Sequence, residues 1–368
     1  MAIILFILIL SFLVIIHELG HFFAAKWAKV RVEEFGLGYP PLAKVLFRWQ
    51  GTTFSLNWIP FGGFVRMAGE EEHSATGAKS GEFVAAPLLK RLVIILAGPA
   101  VNFIFGVIAF TVLFSFMGIP VPIETARISQ VMENSPAAQA QLPTSVDIIG
   151  AKVGDEQLPI TSPDDVVTFV GAHRGKTVVL QTTGSCTGLV CQESLGEYSV
   201  YIRTPEETPA GEGALGIAFE QAVFVRYPIW QMPLKSTEYG LKQSLFLVTQ
   251  ILDALRQLAV DVVSRGSMPE DLAGPVGIVH QAQQSGIFTQ GWLMIASFTG
   301  VLSINLAIMN VLPIPPLDGG RAVFIVLEPL LSKKRRSKLE YYLNYGGYIL
   351  LLGLIIIVTI RDVLRLFV

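Results

Sequence analysis

Ile15-Ile16-His17-Glu18-Leu19-Gly20-His21-Phe22-Phe23 is the stretch on which the reading of this chain turns. It closes an apolar run beginning at residue 2, and residues 1–16 hold no charged side chain. Ionisable groups inside a segment long enough to cross a bilayer are costly to desolvate, so they read as functional. Their spacing narrows the chemistry. His17 and His21 are four apart, on one helix face and one turn from each other, as two ligands of a single Zn²⁺ must be. Glu18 adjoins the first histidine, where it reaches a water on the metal rather than the metal, the placement of a general base. In a soluble protein the same spacing is common on surface helices. Within a span, the remaining alternative is a polar seam joining helices.

The rest of the chain supports a membrane setting. Of 368 residues, 52% are hydrophobic and only 15% are Asp, Glu, Lys or Arg, where a soluble domain carries about 25%. That shortage excludes a soluble fold, and the apolar content excludes intrinsic disorder. A formal net charge of -2 gives no reason to expect a nucleic-acid partner. Four segments, about 2–25, 92–117, 291–312 and 344–360, supply the roughly 20 apolar residues a span needs. Leu241–Val263 includes Gln250, Asp253, Arg256 and Asp261, so it reads as an amphipathic helix at the interface. The first run has neither the basic start nor the small-residue cleavage site of a secretory signal, so it is expected to be retained.

Short loops rich in Lys and Arg face the cytoplasm. Residues 26–91 hold nine and residues 318–343 hold six. Both loops are therefore expected inside, with both termini and the 118–290 segment outside. From Met1 to His17 a helix rises about 24 Å, which places the histidines towards the cytoplasmic side. The third span, running inward, ends at Asn310-Val311-Leu312-Pro313-Ile314-Pro315-Pro316-Leu317-Asp318-Gly319-Gly320. Its prolines must break the helix, and irregular backbone at that depth has to be buried or line a wet cavity. Asp318 is thus the best candidate for the missing third ligand, delivered to the depth of His17. His73, His173 and His280 sit in polar or loop contexts and read as ordinary surface residues.

At these residues the sequence resembles the site-2 protease family of intramembrane zinc metalloproteases. The resemblance rests on the His17–His21 motif, on Asn310 to Gly319, on Gly98-Pro99-Ala100-Val101-Asn102-Phe103 and on Pro60-Phe61-Gly62-Gly63-Phe64-Val65. It implies that His17, His21 and Asp318 bind Zn²⁺, that Glu18 is the catalytic base, and that Asn310, with Pro313 and Pro315 in the same motif, helps to hold the substrate. The substrates implied are single-span membrane proteins, of the anti-sigma-factor or remnant-signal-peptide kind, cut within or near the transmembrane segment. Thr53-Phe54-Ser55-Leu56-Asn57-Trp58 reads either as an edge strand pairing with the extended substrate through Phe54, Ser55 and Asn57, or as a hairpin that merely packs.

Residues 123–226 show short apolar runs between turn residues, as a small β-rich domain does. Ala126 to Val131 and Ser135 to Ala140 resemble the opening of a PDZ domain, and the length leaves room for one. Ser145-Val146-Asp147 replaces the usual Gly-Asp, which puts a working peptide groove in doubt, so the expected role is size exclusion. Cys186 and Cys191 either close a small loop in an oxidising compartment or remain two free thiols. Lys333-Lys334-Arg335-Arg336 reads as a topology determinant, with membrane lipid as the other candidate partner. Gly274-Pro275-Val276-Gly277 resembles a family motif without assignable chemistry.

The expected fold is a multi-pass α-helical membrane protein of about four transmembrane helices, with an inserted small β-rich PDZ-like domain and a cytoplasmic membrane-associated β-hairpin. The expected division is 1–117, 118–226, 227–290 and 291–368. The rival reading is a non-catalytic membrane adaptor with a structural zinc site. It is disfavoured by the presence of Glu18, just as a transporter is disfavoured by the lack of an inverted repeat.

Overall fold

The computed structural model describes residues 2–70, 79–154, 156–209, 211–266, 273–330 and 333–365. His73 and the side chains of the 333–336 basic cluster lie outside the described residues. In chain order the first elements are α1 (Ala2–Trp27), β1 (Val32–Trp49), β2 (Thr52–Met67), α2 (Leu88–Met117), β3 (Ile119–Pro122), β4 (Ala126–Val131), α3 (Pro136–Gln139), β5 (Asp147–Val153), β6 (Glu156–Pro159), α4 (Pro163–Ala172) and β7 (Thr177–Thr182). There follow β8 (Cys186–Thr187), β9 (Val190–Cys191), β10 (Gly196–Tyr201), β11 (Ile217–Phe219), β12 (Ala222–Val225), α5 (Met232–Arg265), α6 (Pro275–Gln284), α7 (Trp292–Val311), α8 (Asp318–Leu327) and α9 (Lys333–Arg365). They form two compact units, residues 1–113 with 236–368, and residues 114–235. Most of 227–290, expected as a region of its own, belongs to the first unit.

In the first unit α1, α2, α7 and most of α9 are long and apolar enough to cross a membrane, matching the four expected spans. The 34-residue α5 is not among them. On α1 the buried residues Phe6, Ile9, Leu13, His17, His21 and Ala25 recur every three or four positions, one stripe of a helix, with Gly20 and Phe22 buried beside it. Ile3, Ile4, Leu8 and Phe12 on the other faces are exposed, as side chains solvated by lipid would be. The histidines therefore belong to the packed stripe. Gly274-Pro275-Val276-Gly277 opens α6, and the Gly277 N–H donates to Asp362 of α9 at 2.7 Å, so that motif joins two helices.

The loop after α1 forms a small sheet, and here one expectation fails. Residues 44–49 pair with 52–56, but 53–56 also lie beside 34–37, and 34–37 pair on their far side with 63–66. Phe54 and Ser55 therefore lie interior to the sheet, with neighbours on both sides, while Asn57 pairs with Leu42. An edge strand offers unpaired N–H and C=O groups along one side, and residues 53–56 have a paired neighbour on each side. Its side chains are committed too. Phe54 stacks on Phe47 at 4.5 Å and packs against Phe22 of α1. Ser55 donates to Glu34 at 2.6 Å, and Asn57 donates to the Leu37 and Gly38 carbonyls. Among the described residues, segments 44–49 and 63–67 have a strand partner on one side only, and Gly63 lies beside Glu18 of α1.

The second unit carries a six-stranded sheet whose main path runs β10-β7-β5-β4-β11, with β6 beside β5. Its core is Ile128, Ile148, Leu180, Val200 and Ile202, closed by Ala137 of α3 and Val166, Phe169 and Val170 of α4. Cys186 and Cys191 form a disulfide across the two-residue strands β8 and β9. Beneath it Arg127 and Asp147 make a buried pair, Nε to Oδ1 at 2.7 Å. Helix α4 starts at a capping box, in which Ser162 accepts from the Asp165 N–H while Asp165 accepts from Ser162. Hydrogen bonds from the Thr161 hydroxyl and from the Thr161 and Ser162 amides hold the Asp165 carboxyl down to about 2. Removing the cap with Ser162→Ala should cost about 1 kcal/mol, read as a lower denaturant midpoint for the full chain in detergent with an unchanged slope.

Candidate metal centre

His17 and His21 reach their partners because α1 and α2 touch where both have glycine. A Cβ on Gly20 would lie 2.5 Å from the Ala97 carbonyl oxygen. A Cβ on Gly98 would collide with His21 Nε2 and lie 2.8 Å from His17 Cε1. Pro99, inside α2, cannot continue the local hydrogen-bond ladder. Close by, the Ile94 carbonyl accepts from His21 Nδ1 at 2.8 Å. On the other ring, the Asn102 amide lies 3.4 Å from His17 Nδ1 and its Oδ1 is buried without a partner. Turning that amide over lets Oδ1 accept from the ring N–H, which satisfies both groups. With each ring proton assigned to Nδ1 on the strength of these partners, both imidazoles present a bare Nε2.

Asp318 arrives from the opposite end of the chain. Helix α7 ends at Val311, the prolines hold the next residues out of helix, and α8 resumes at Asp318 itself. Its Oδ2 lies 3.0 Å from His17 Nε2 and 3.3 Å from His21 Nε2, and the two nitrogens are 3.1 Å apart. With both ring protons on Nδ1, three lone-pair atoms converge and no hydrogen lies between them. Such a triangle needs a cation. Zinc bound tetrahedrally at about 2.0–2.1 Å spaces its ligand atoms about 3.3 Å apart, close to the distances seen, and leaves a fourth position open. The donor set therefore fits Zn²⁺.

A cavity of about 350 Å³ opens on this triangle, lined also by Glu18, Tyr39, Gly63, Phe64, Val65, Glu70, Asn310, Pro316, Leu317 and Arg321. Glu18 and Asn310 line it together with His17, His21 and Asp318. Pro313 and Pro315 are not among its lining residues, and neither are Phe54, Ser55 and Asn57. The structure adds Asn102, the ring-orienting amide, which stood in the sequence only as part of a motif. It also adds the pair Glu70 and Arg321, for which the sequence carries no signal.

The model of Peptidase family M50 matches residues 5–354. A protein of Clostridium perfringens is 30% identical over 99% of both chains, and one of Fusobacterium nucleatum is 30% identical over 98% of both. One of Agrobacterium fabrum is 29% identical over 97% of this chain and 94% of its own length. All three bear the name "putative zinc metalloprotease".

The crossing at Gly98 is testable. Gly98→Ala should lower the zinc content of the purified protein from about one ion per chain towards zero, because the added methyl displaces the His21 ring. Elemental analysis decides it, and a variant with full zinc would refute this placement of the ring.

Proposed function

The chain belongs to Peptidase family M50, and on that premise we propose that it is an intramembrane zinc endopeptidase acting on single-span membrane proteins. The convergence of His17 Nε2, His21 Nε2 and Asp318 Oδ2 beside Glu18, at the end of an apolar span, is the observation that carries the reading. When bound, zinc would supply Lewis acidity to the scissile carbonyl and to the attacking water. Glu18 takes the proton of that water on its carboxylate and returns it to the leaving amine. Asn310, in the last turn of α7, offers an amide donor in the cavity to the oxygen that gains charge.

A transmembrane helix hides its carbonyls, so the substrate must enter extended. Residues 63–67 support this step. Among the described residues, no strand pairs with their outer side, and Gly63, Phe64 and Val65 line the cavity. A Cβ on Gly63 would lie 3.5 Å from Glu18 Cγ, so the strand runs beside the base. Its free edge can add one more strand, giving main-chain hydrogen bonds without demanding a particular sequence.

The insert acts as a PDZ-like gate outside the membrane, admitting partners by size. Its own hydrophobic core supports an independent module, and the Cys186–Cys191 disulfide supports an oxidising compartment. The basic loops 26–91 and 318–343 then lie on the cytoplasmic side, next to the active site.

Glu18→Gln tests the chemistry. The variant should keep about one zinc per chain in detergent while losing a hundredfold or more, on the order expected for a general base, in cleavage of a single-span substrate. A wild-type chain that binds no zinc, or a Gln variant that cleaves equally well, rules the protease out.

A further inference from the structure

Glu70 and Arg321 line the cavity of Glu18 and Asn310, yet no step above uses them. Arg321 lies three residues after Asp318 on α8, and its Nη2 donates to Glu70 Oε1. The second oxygen of the same carboxylate, Oε2, accepts from the Met67 N–H at 3.1 Å. Met67 ends the free edge strand. Between the two residues the chain makes a tight turn, closed by the Glu70 N–H on the Met67 carbonyl at 3.3 Å, with Gly69 at φ +69°. A positive φ at the third position of such a turn calls for glycine. The turn folds the Glu70 side chain back onto the strand and leaves Oε1 facing α8.

One carboxylate thus ties the edge strand to the helix that carries the third ligand, across 251 positions of sequence. The Glu70 and Arg321 side chains are only 16% and 34% exposed, so water and salt screen the pair less than they would a surface pair. Asn310 and Glu18 act on the reacting atoms. The Glu70–Arg321 pair acts on where the strand sits.

We propose that Glu70 and Arg321 are positioning residues, a clasp that fixes the edge strand along its own axis relative to His17, His21 and Asp318. Resting on the protease reading, it sets which peptide bond of a paired substrate reaches Glu18. A strand advances about 3.3 Å per residue, and a misplacement near 1 Å can cost a hundredfold in rate. Slipping by one residue would turn every side chain to the other face, whereas slipping by two preserves the faces. A loosened clasp should therefore produce extra cuts two residues from the native one.

The test uses the full chain in detergent with a single-span substrate, and compares wild type with Glu70→Gln, Arg321→Gln and Arg321→Lys. Zinc content, kcat/KM, product termini by mass spectrometry and hydrogen exchange of the 63–67 amides are measured. All four proteins should keep their zinc. The two Gln variants should lose roughly ten- to a hundredfold in kcat/KM, gain cuts two residues away and exchange faster at 63–67, with Arg321→Lys in between. A single native cut at wild-type rate with unchanged exchange overturns the clasp, as does loss of zinc in Glu70→Gln. If wild type cleaves nothing while exchange still rises in the Gln variants, the clasp stands and the protease reading fails.

Discussion

Three lone pairs held within 3.3 Å of each other, in a largely buried place, are the constraint on which this structure depends. Without a cation the arrangement would be repulsive and its desolvation unrepaid. With one, it draws together segments from both ends of the chain. The surrounding features serve that geometry. Gly20 and Gly98 let two helices approach closely enough for imidazoles to fill the gap. The Ile94 carbonyl and the Asn102 amide hold the ring protons on the far nitrogens, the outer-shell role that fixes a ligand histidine. The proline-rich break after α7 turns the chain so that α8 begins with its carboxylate at the triangle.

How much of this could be read in advance follows from the range of each signal. His17, Glu18 and His21 stood out because they interrupt an apolar run and because helical periodicity is local. Asp318 was legible by elimination and by depth. The edge strand was not. A hairpin is the expectation for this loop, but β1 and β2 bend so that the segments lie in the order 44–49, 52–57, 34–37, 63–67. Nothing in a period of two says which segment ends outermost. Glu70 and Arg321 were invisible for a related reason, since their pairing exists only after hairpin and helix have met. The disulfide, open in sequence, is closed in the fold because β8 and β9 place Cys186 opposite Cys191.

The two units solve the burial problem in different ways. The insert is built as a soluble domain, with a core of Ile, Leu, Val and Phe and one buried ion pair, Arg127 with Asp147. Each partner there satisfies the other, which is the condition for burying charge at tolerable cost. In the first unit the outward side chains are themselves apolar, so hydrophobic burial separates inside from outside only weakly. Specificity of packing falls instead to close contacts and to polar groups, such as the Ser303 hydroxyl on the Asn102 carbonyl and Asp362 on the α6 terminus.

Hydrolysis within such a unit needs water where the surroundings exclude it. The cavity answers this through its lining. Glu18, Glu70, Arg321, Asn310 and Tyr39 supply polar partners in the lining, and about 350 Å³ is room for several waters that each require two to four such partners. Phe64, Val65 and Ile95 add apolar surface to the same lining. The Glu70–Arg321 ion pair lies in the same lining as Glu18 and Asn310, so the groups that can bind water and the end of the edge strand share one cavity.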